Sequence, residues 1–339
     1  MAPKKVLVVG AGVVGLSTAV CIQQTLPDVA VTIIADKFTD ETTSHVAAGI
    51  FRPGGMPSEL KHTYRQWYKD SFDFFNKLVH STEAVNAGTS QLSYYFFDTK
   101  LYNDELVDIL YCGRPVTAKE MDSFPVKFPY GYFLTSLVIE CRYFLPFLTK
   151  RFKSMGGTMK KRTVQSLEEF VDKYDLVINC TGVEAGSLVN DKEVYPVRGQ
   201  IYRVKAPWLK HGVYGSFHGD CDTYIIPCRE CVVVGGVRQQ GRTDLSVDKV
   251  DSKAIWERCT AMVPSLKHAE VISEDVGLRP GRKAIRVEME TIRFPSGDLK
   301  VVHNYGHGGF GVMLSWGTAV HAAKLAHDAL RTHRLSSQL

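Results

Sequence analysis

The sequence predicts an α/β fold in two parts: a discontinuous parallel-sheet domain and an inserted α+β domain built on an antiparallel sheet. Three observations predict it. An apolar, β-branched run beginning at Val6 passes through Gly10, Gly12 and Gly15 into a helical stretch, and a second such run, Val29–Ile34, follows. The same strand-into-glycine pattern returns at Asp175–Gly182 and at Val301–Gly311, far along the chain. Between these returns, Tyr195–Val237 is strand-rich and interrupted by short turn signals, as antiparallel pairing requires.

In the first unit, Val6-Leu-Val-Val-Gly10-Ala-Gly12-Val-Val-Gly15-Leu16, each glycine has a separate task. Gly10 turns the chain out of the strand, Gly12 lets a pyrophosphate approach the backbone, and Gly15 lets the helix lie close on the strand. The helix start, with Val13 and Val14, offers N–H groups and the positive end of a dipole to a phosphate. Asp36 ends the second strand about 20 residues on, where such a fold places the carboxylate for a ribose hydroxyl. The unit is therefore Rossmann-like and predicts dinucleotide binding. A secretory or membrane reading competes, because Val6–Ile22 is 17 residues without a charge. A spanning helix needs about 20 apolar residues, no A-x-A cleavage site follows, and excision would destroy the glycine pattern.

Composition narrows the class. The 339 residues allow one or two domains, and 45% hydrophobic with 23% charged residues is ordinary for a soluble globular protein. A net charge of +5 without a Lys/Arg run predicts no nucleic-acid partner, and no other segment approaches spanning length. The eight cysteines are scattered, as for reduced structural thiols. Cys228-Arg-Glu-Cys231, with Cys221 nearby, stands out as a metal or redox alternative, but a structural metal site needs a second ligand pair. It is read as a turn between strands, and no metal is expected.

In chain order, Thr39–Ser44 is polar and leads to His45-Val-Ala-Ala-Gly-Ile50, whose small residues suit close approach to a ligand. Arg52–Pro57 is a breaker-rich exit from the first domain. Leu60–Leu78 is an amphipathic helix with Tyr64, Trp67, Phe74, Phe75 and Leu78 on its apolar face. Gln91–Phe97 is a strand and Thr117–Phe124 a short helix. Leu134–Met155 is mostly helical, with Pro146 marking a kink or late start and Gly156-Gly157 closing it. Thr158–Lys161 is a strand. Ser252–Met262 is a helix, Val276–Arg282 a glycine-punctuated loop with two arginines, and Trp316–Leu330 the final helix. The expected boundaries are 1–52, 142–194 and 276–339 for the nucleotide domain, and 53–141 and 195–275 for the substrate domain.

Taken together, VVGAGVVGLSTAVCI, ADKFTDETTSHVAAG, VINCTG, PVRGQ, APW, TYIIP, GGVRQ, GLRP and HNYGHGGFG resemble the D-amino-acid oxidase family across nearly the whole chain. The resemblance implies FAD, held non-covalently, and oxidation of a D-amino acid by oxygen to a 2-oxo acid, ammonia and hydrogen peroxide. It places Gly10, Gly12 and Gly15 at the pyrophosphate, Asp36 and Lys37 at the ribose, and Thr42, Thr43 and Ser44 on the phosphate side. Ala48, Gly49 and Ile50 match the segment along the flavin, and Val164 the position meeting the adenine. Gly308, Gly309, Gly311, Val312 and Met313 match the pyrimidine end. Arg279 matches the α-carboxylate arginine and Tyr224 the hydroxyl that shares it, while the Gly309 carbonyl matches the acceptor of the substrate amine. Hydride transfer to flavin N5 then needs no general base from the protein.

Arg238, in GGVRQ, matches the arginine of the acidic-substrate branch. A buried arginine needs a partner, and the side-chain carboxylate of D-aspartate or D-glutamate would be one. This sequence departs from that branch in three places. Its loop His211–Thr223 carries no arginine and is long, Gly308-Gly309-Phe310 is more like the neutral-substrate branch, and Arg52 stands where an uncharged residue is usual. Arg52 is expected to replace the missing loop arginine. An oxidase of neutral D-amino acids, a non-catalytic flavin-binding or sensor protein and a nicotinamide-dependent dehydrogenase are the alternatives. Ser337-Gln338-Leu339 resembles a Ser-Lys-Leu signal, which implies a peroxisomal import receptor and the peroxisomal matrix. A homo-oligomer is compatible with the sequence.

Overall fold

The computed structural model describes residues 3–52, 54, 57–100, 106–217 and 221–336. Its first sheet has six strands in the order Arg286–Phe294, Gly297–Tyr305, Leu176–Asn179, Lys4–Val9, Val29–Ala35 and Thr158–Lys161. All neighbours are parallel except the first two, which form a hairpin. Val6, Leu7 and Val8 have no exposure at all, because the strand is central and covered on both faces. The helices Val13–Thr25 and Gly311–Ser336 lie together against this sheet. No helix among the described residues is long and apolar enough to cross a membrane.

The second sheet has nine strands. Its path is Gln239–Gln240, Tyr195–Lys205, Val232–Gly235, Cys221–Pro227, Gly212–Phe217, Thr89–Asp98, Tyr130–Ile139 and Cys112–Pro115, with Glu270–Gly281 on the other edge of Tyr195–Lys205. Its pairings are antiparallel except Thr89–Asp98 with Gly212–Phe217. One hydrophobic core joins the two sheets: Val6 and Val8 belong to the same cluster as Tyr94, Leu134 and Phe144. Lys61–Val79 closes the other side, where Phe74 stacks on Trp316 at 3.4 Å between ring centroids.

Four sequence expectations are corrected. Leu134–Met155 is not one helix: Tyr130–Ile139 is a strand paired along its length with Thr89–Asp98, and the helix is Cys141–Ser154, with Pro146 inside it. A continuous apolar run such as Leu137–Ile139, buried on both faces, carries no period to separate strand from helix. Val276–Arg282 is not a loop, since residues through Gly281 finish the strand Glu270–Gly281, with Arg279 opposite Val197. Gly277 belongs there because Thr43 and Val46 lie close above it. The supposed loop His211–Thr223 is mostly strand, Gly212–Phe217 and the start of Cys221–Pro227. The last helix begins at Gly311, before Trp316.

Candidate active site

A cavity of about 760 Å³ opens between the two sheets. At one end, Gly10 has φ +108°, and a Cβ there would overlap the Cys180 carbonyl. Gly15 does not line the cavity; a Cβ at Gly15 would overlap the Gly10 carbonyl, so its task is the contact of helix with strand. Gly12 caps the helix without a side chain, and the Val13 N–H is not left for a ligand. It donates to the Ser44 hydroxyl at 3.0 Å. Ser44 thereby ties the segment Thr42–Ser44 to the helix start, and Thr42 bonds back to the Thr39 carbonyl at 2.7 Å. Asp36 and Lys37 are exposed at the strand end, 3.9 Å apart, a pairing too loose and wet to matter for stability. Val164 lines the same end.

The middle of the cavity is walled by Ala48, Gly49 and Ile50. Gly49 has φ +79° and its carbonyl accepts from the Ile139 N–H at 2.8 Å, while the Phe51 N–H donates to Leu137 at 2.8 Å. The segment is thus fixed to the second sheet by backbone bonds. Gly308 (φ +54°) and Gly309 lie in the short 3-10 turn before the last helix and Gly311, Val312 and Met313 at its start, and all five line the cavity. His307 precedes them, fully buried and 3.1 Å from the Thr318 hydroxyl; burial pushes its imidazole down to about 3, so it is neutral.

The far end carries the reactive geometry. Arg279 lies flat across Gly199, where a Cβ would sit 2.5 Å from the guanidinium carbon. Its Nη1 donates to the carbonyls of Val237 at 3.1 Å and Arg198 at 3.4 Å. Among the described residues no carboxylate pairs with it. Arg198 is itself wholly buried, held by Asp251 at 2.9 Å and by Gln200 and Gln239. The Tyr224 ring covers Gly235 and Gly236, which have no Cβ to block it, and stacks on Tyr214 at 6.0 Å and 15°. Arg52 lies 4.5 Å above the Tyr214 ring and 5.5 Å from Phe96, with Nη2 donating to the Tyr214 hydroxyl at 3.4 Å.

The structure corrects the premise for Arg238, which lines the cavity but is exposed rather than buried. Arg52 is half-buried and lines it too. Sequence reasoning missed Tyr214, Gly199 and Gly236. Tyr214 lay inside the segment read as a loop, and the two glycines stood in GGVRQ and PVRGQ without a visible reason for lacking a side chain. Among the described residues, Lys37, Arg52, Arg162, Arg238, Arg279, Arg282 and Lys283 line the cavity with Asp36 and Glu184, although Arg162 and Arg282 are paired with Glu169 and Asp191. The remaining excess of positive charge favours an anionic cofactor. Cys228 and Cys231 do close a turn, the Cys228 N–H meeting the Cys231 carbonyl at 2.8 Å. No group of three metal-ligating side chains occurs among the described residues.

A glycine-lined helix start, a carboxylate at the end of the second parallel strand and a large cationic cavity fit a dinucleotide-binding protein. The family model described as FAD dependent oxidoreductase matches residues 5–325. The chain belongs to that family, and its cofactor is FAD. It is 41% identical over 334 residues to D-aspartate oxidase of Homo sapiens, covering 97% of each chain. It is 36% identical to D-amino acid oxidase of Dugesia ryukyuensis, covering 97% of this chain and 99% of that one. Among solved structures it is similar to glycine oxidase from Geobacillus kaustophilus (TM-score 0.78, 18% identity, 96% and 95% of the two chains). L-alpha-glycerophosphate oxidase from Mycoplasma pneumoniae with FAD bound is also similar (TM-score 0.72, 18% identity, 96% and 95%). Both show the fold. The residues here fit FAD: the glycine turn leaves room at the helix start, and the cavity volume suits a ligand of that size.

Proposed function

We propose that the chain oxidises acidic D-amino acids, D-aspartate and D-glutamate, with oxygen and water to the 2-oxo acid, ammonia and hydrogen peroxide. The observation that carries this is a single cavity lined by Arg52, Arg238 and Arg279 together with Tyr224. In this reading Arg279, anchored through Nη1, turns the rest of its fork to the α-carboxylate. The Tyr224 hydroxyl donates to the same carboxylate, and the Gly309 carbonyl accepts from the amine. These contacts fix the Cα–H direction, and much of the rate comes from that fixed orientation. The flavin, when bound, supplies the acceptor for the hydride and passes the electrons to oxygen. The side-chain carboxylate is read by Arg238 at the rim and by Arg52, whose position is set by Tyr214 and Phe96. The names of the relatives support the same substrate class.

A second reading, neutral D-amino acids, is favoured by two observations: Arg52 already rests on two aromatic rings, and Arg238 is exposed. The test is anaerobic mixing of the yellow holoenzyme with D-aspartate or D-alanine, followed near ~450 nm, where the cofactor absorbs. Fast bleaching by D-aspartate alone is expected; bleaching by D-alanine alone refutes the acidic reading. Bleaching by neither returns the chain to the non-catalytic reading. Arg238→Leu and Arg52→Gln should each lose D-aspartate far more than D-alanine. An unchanged KM for D-aspartate in Arg52→Gln removes Arg52 from the site.

The six-stranded sheet is proposed to serve the cofactor and the nine-stranded sheet the substrate. Ser337-Gln338-Leu339 lies outside the described residues. Peroxisomal import through it is proposed from the sequence alone. A reporter carrying the last residues, with and without Leu339, tests it by its location in cells.

A further inference from the structure

Strands Cys221–Pro227 and Val232–Gly235 are joined through Arg229 and Glu230, and the pairing of Pro227 with Val232 makes Cys228 and Cys231 direct neighbours across the ladder. Such hydrogen-bonded partners have Cα atoms about 5.5 Å apart and side chains on one face. A disulfide spans roughly 4.4–6.8 Å between Cα atoms. The two thiols therefore meet without movement of the backbone. Strand alternation puts Tyr224, Ile226 and Cys228 on the same face, and Cys231 follows on the next strand. Cys231 packs in a small cluster with Ile201 and Val233, against which Cys228, Ala48 and Tyr224 lie. Ala48, Tyr224, Ile201 and Ile226 all line the cavity, so the dithiol is built into the back of the cavity wall.

Charge around the pair is asymmetric. Arg203, opposite Val233, is buried to 3% exposure, and its Nε has no hydrogen-bond partner. Its other nitrogens are held by Asp275 and the His45 carbonyl. The Glu140 carboxylate accepts the Arg229 N–H at 2.7 Å, which fixes the turn. The Cys228 thiol donates toward Cys231, and Arg203 and Arg142 add positive potential. Against burial and Glu140, these hold the Cys231 thiol below its ordinary value, and the same contact pushes Cys228 up.

We propose that Cys228 and Cys231 form a peroxide-reactive dithiol that closes to an intramolecular disulfide. The Cys231 thiolate attacks one oxygen of hydrogen peroxide; the S–O bond forms, the O–O bond breaks, and hydroxide leaves to take a proton as water. The Cys228 sulfur then attacks the Cys231 sulfur. The S–S bond forms, the S–O bond breaks, and the second oxygen leaves as water with the Cys228 proton. Two thiols are oxidised by two electrons and one peroxide is reduced to two waters.

The inference is independent of the amino-acid substrate, because the test adds hydrogen peroxide itself to the reduced holoenzyme. The protein is then alkylated, digested and mapped. The peptide bearing both residues is expected to lose two hydrogens and to escape alkylation until a reductant is added. Cys259, fully buried with its thiol pushed up to about 12, is the internal comparison and stays reduced at least tenfold longer. Cys228→Ser should stop at a sulfenic acid on Cys231 that dimedone captures, and Cys231→Ser should give no disulfide. Full alkylation of both thiols after peroxide treatment overturns the proposal, as does oxidation no faster than at Cys259. The wild-type map decides this even if neither variant folds.

Discussion

Gly199→Ala tests whether Arg279 is positioned by the absence of a side chain. The added Cβ would stand 2.5 Å from the guanidinium carbon, and carbon atoms at rest are about 3.5 Å apart. Arg279 must then move by roughly 1 Å, which breaks its 3.1 Å bond to the Val237 carbonyl. A misplacement of that size costs about 10²-fold in rate, or ~2.7 kcal/mol of transition-state stabilisation. The backbone itself tolerates alanine, because Gly199 is not in the left-handed region. The expected result is a kcat/KM for D-aspartate lowered about 10²-fold, with melting temperature and bound flavin absorbance unchanged. Oxygen consumption gives the rate and visible absorbance the cofactor content. A variant within about threefold of wild type, a change of under 1 kcal/mol, would refute the claim that Gly199 makes room for a carboxylate-binding Arg279.

Other outcomes follow from neighbouring contacts. Tyr224→Phe keeps the ring on Gly235 and Gly236 but removes one bond to a charged group, so kcat/KM should fall about 10- to 100-fold with the fold intact; an unchanged value would exclude the hydroxyl. Ser44→Ala leaves the Val13 N–H without its 3.0 Å acceptor. Losing such a cap costs about 1 kcal/mol, and FAD affinity measured by dialysis and fluorescence should fall about fivefold; unaltered retention would show that Ser44 does not organise the phosphate end. His307 and His303 are both held near 3, chiefly by burial. Their folded values lie below the unfolded value of about 6.5. The unfolded chain therefore binds protons first as pH falls, and stability is lost from about pH 6.5 downward, by about 1.4 kcal/mol per unit for each histidine. Denaturant unfolding at about pH 7 and about pH 5 should show a shallower loss in His307→Gln than in wild type. Equal slopes would contradict a neutral buried His307.

Much of the six-stranded sheet was legible because local sequence dictates it. A β-branched run is a buried strand, and a glycine at its end allows the positive φ (+108° at Gly10) that turns the chain into the helix, although the carbonyl that excludes a Cβ there belongs to the distant Cys180. The strands Val29–Ala35 and Leu176–Asn179 could be read in the same way. The nine-stranded sheet was less legible. Tyr130–Ile139 is held by ten residues of Thr89–Asp98, far away in sequence, and its apolar run has no period of its own. Arg279 looked like a loop residue because Gly277 and Pro280 have poor strand propensity, yet pairing with Tyr195–Lys205 overrides it.

By itself the sequence determined the strand-glycine-helix unit, the carboxylate of Asp36 at the end of the second strand and the identity of the arginines available to a ligand, because these depend on residue type and short spacing. Only the tertiary structure decided which arginines share a cavity and how each is held. Arg279 rests on Gly199, Arg52 on Tyr214 and Phe96, and Arg238 stands exposed at the rim. The physical reason is that burial and partner choice are set by strands distant in sequence. A side chain's charge is written in the chain, whereas the groups that orient it are supplied by the sheet.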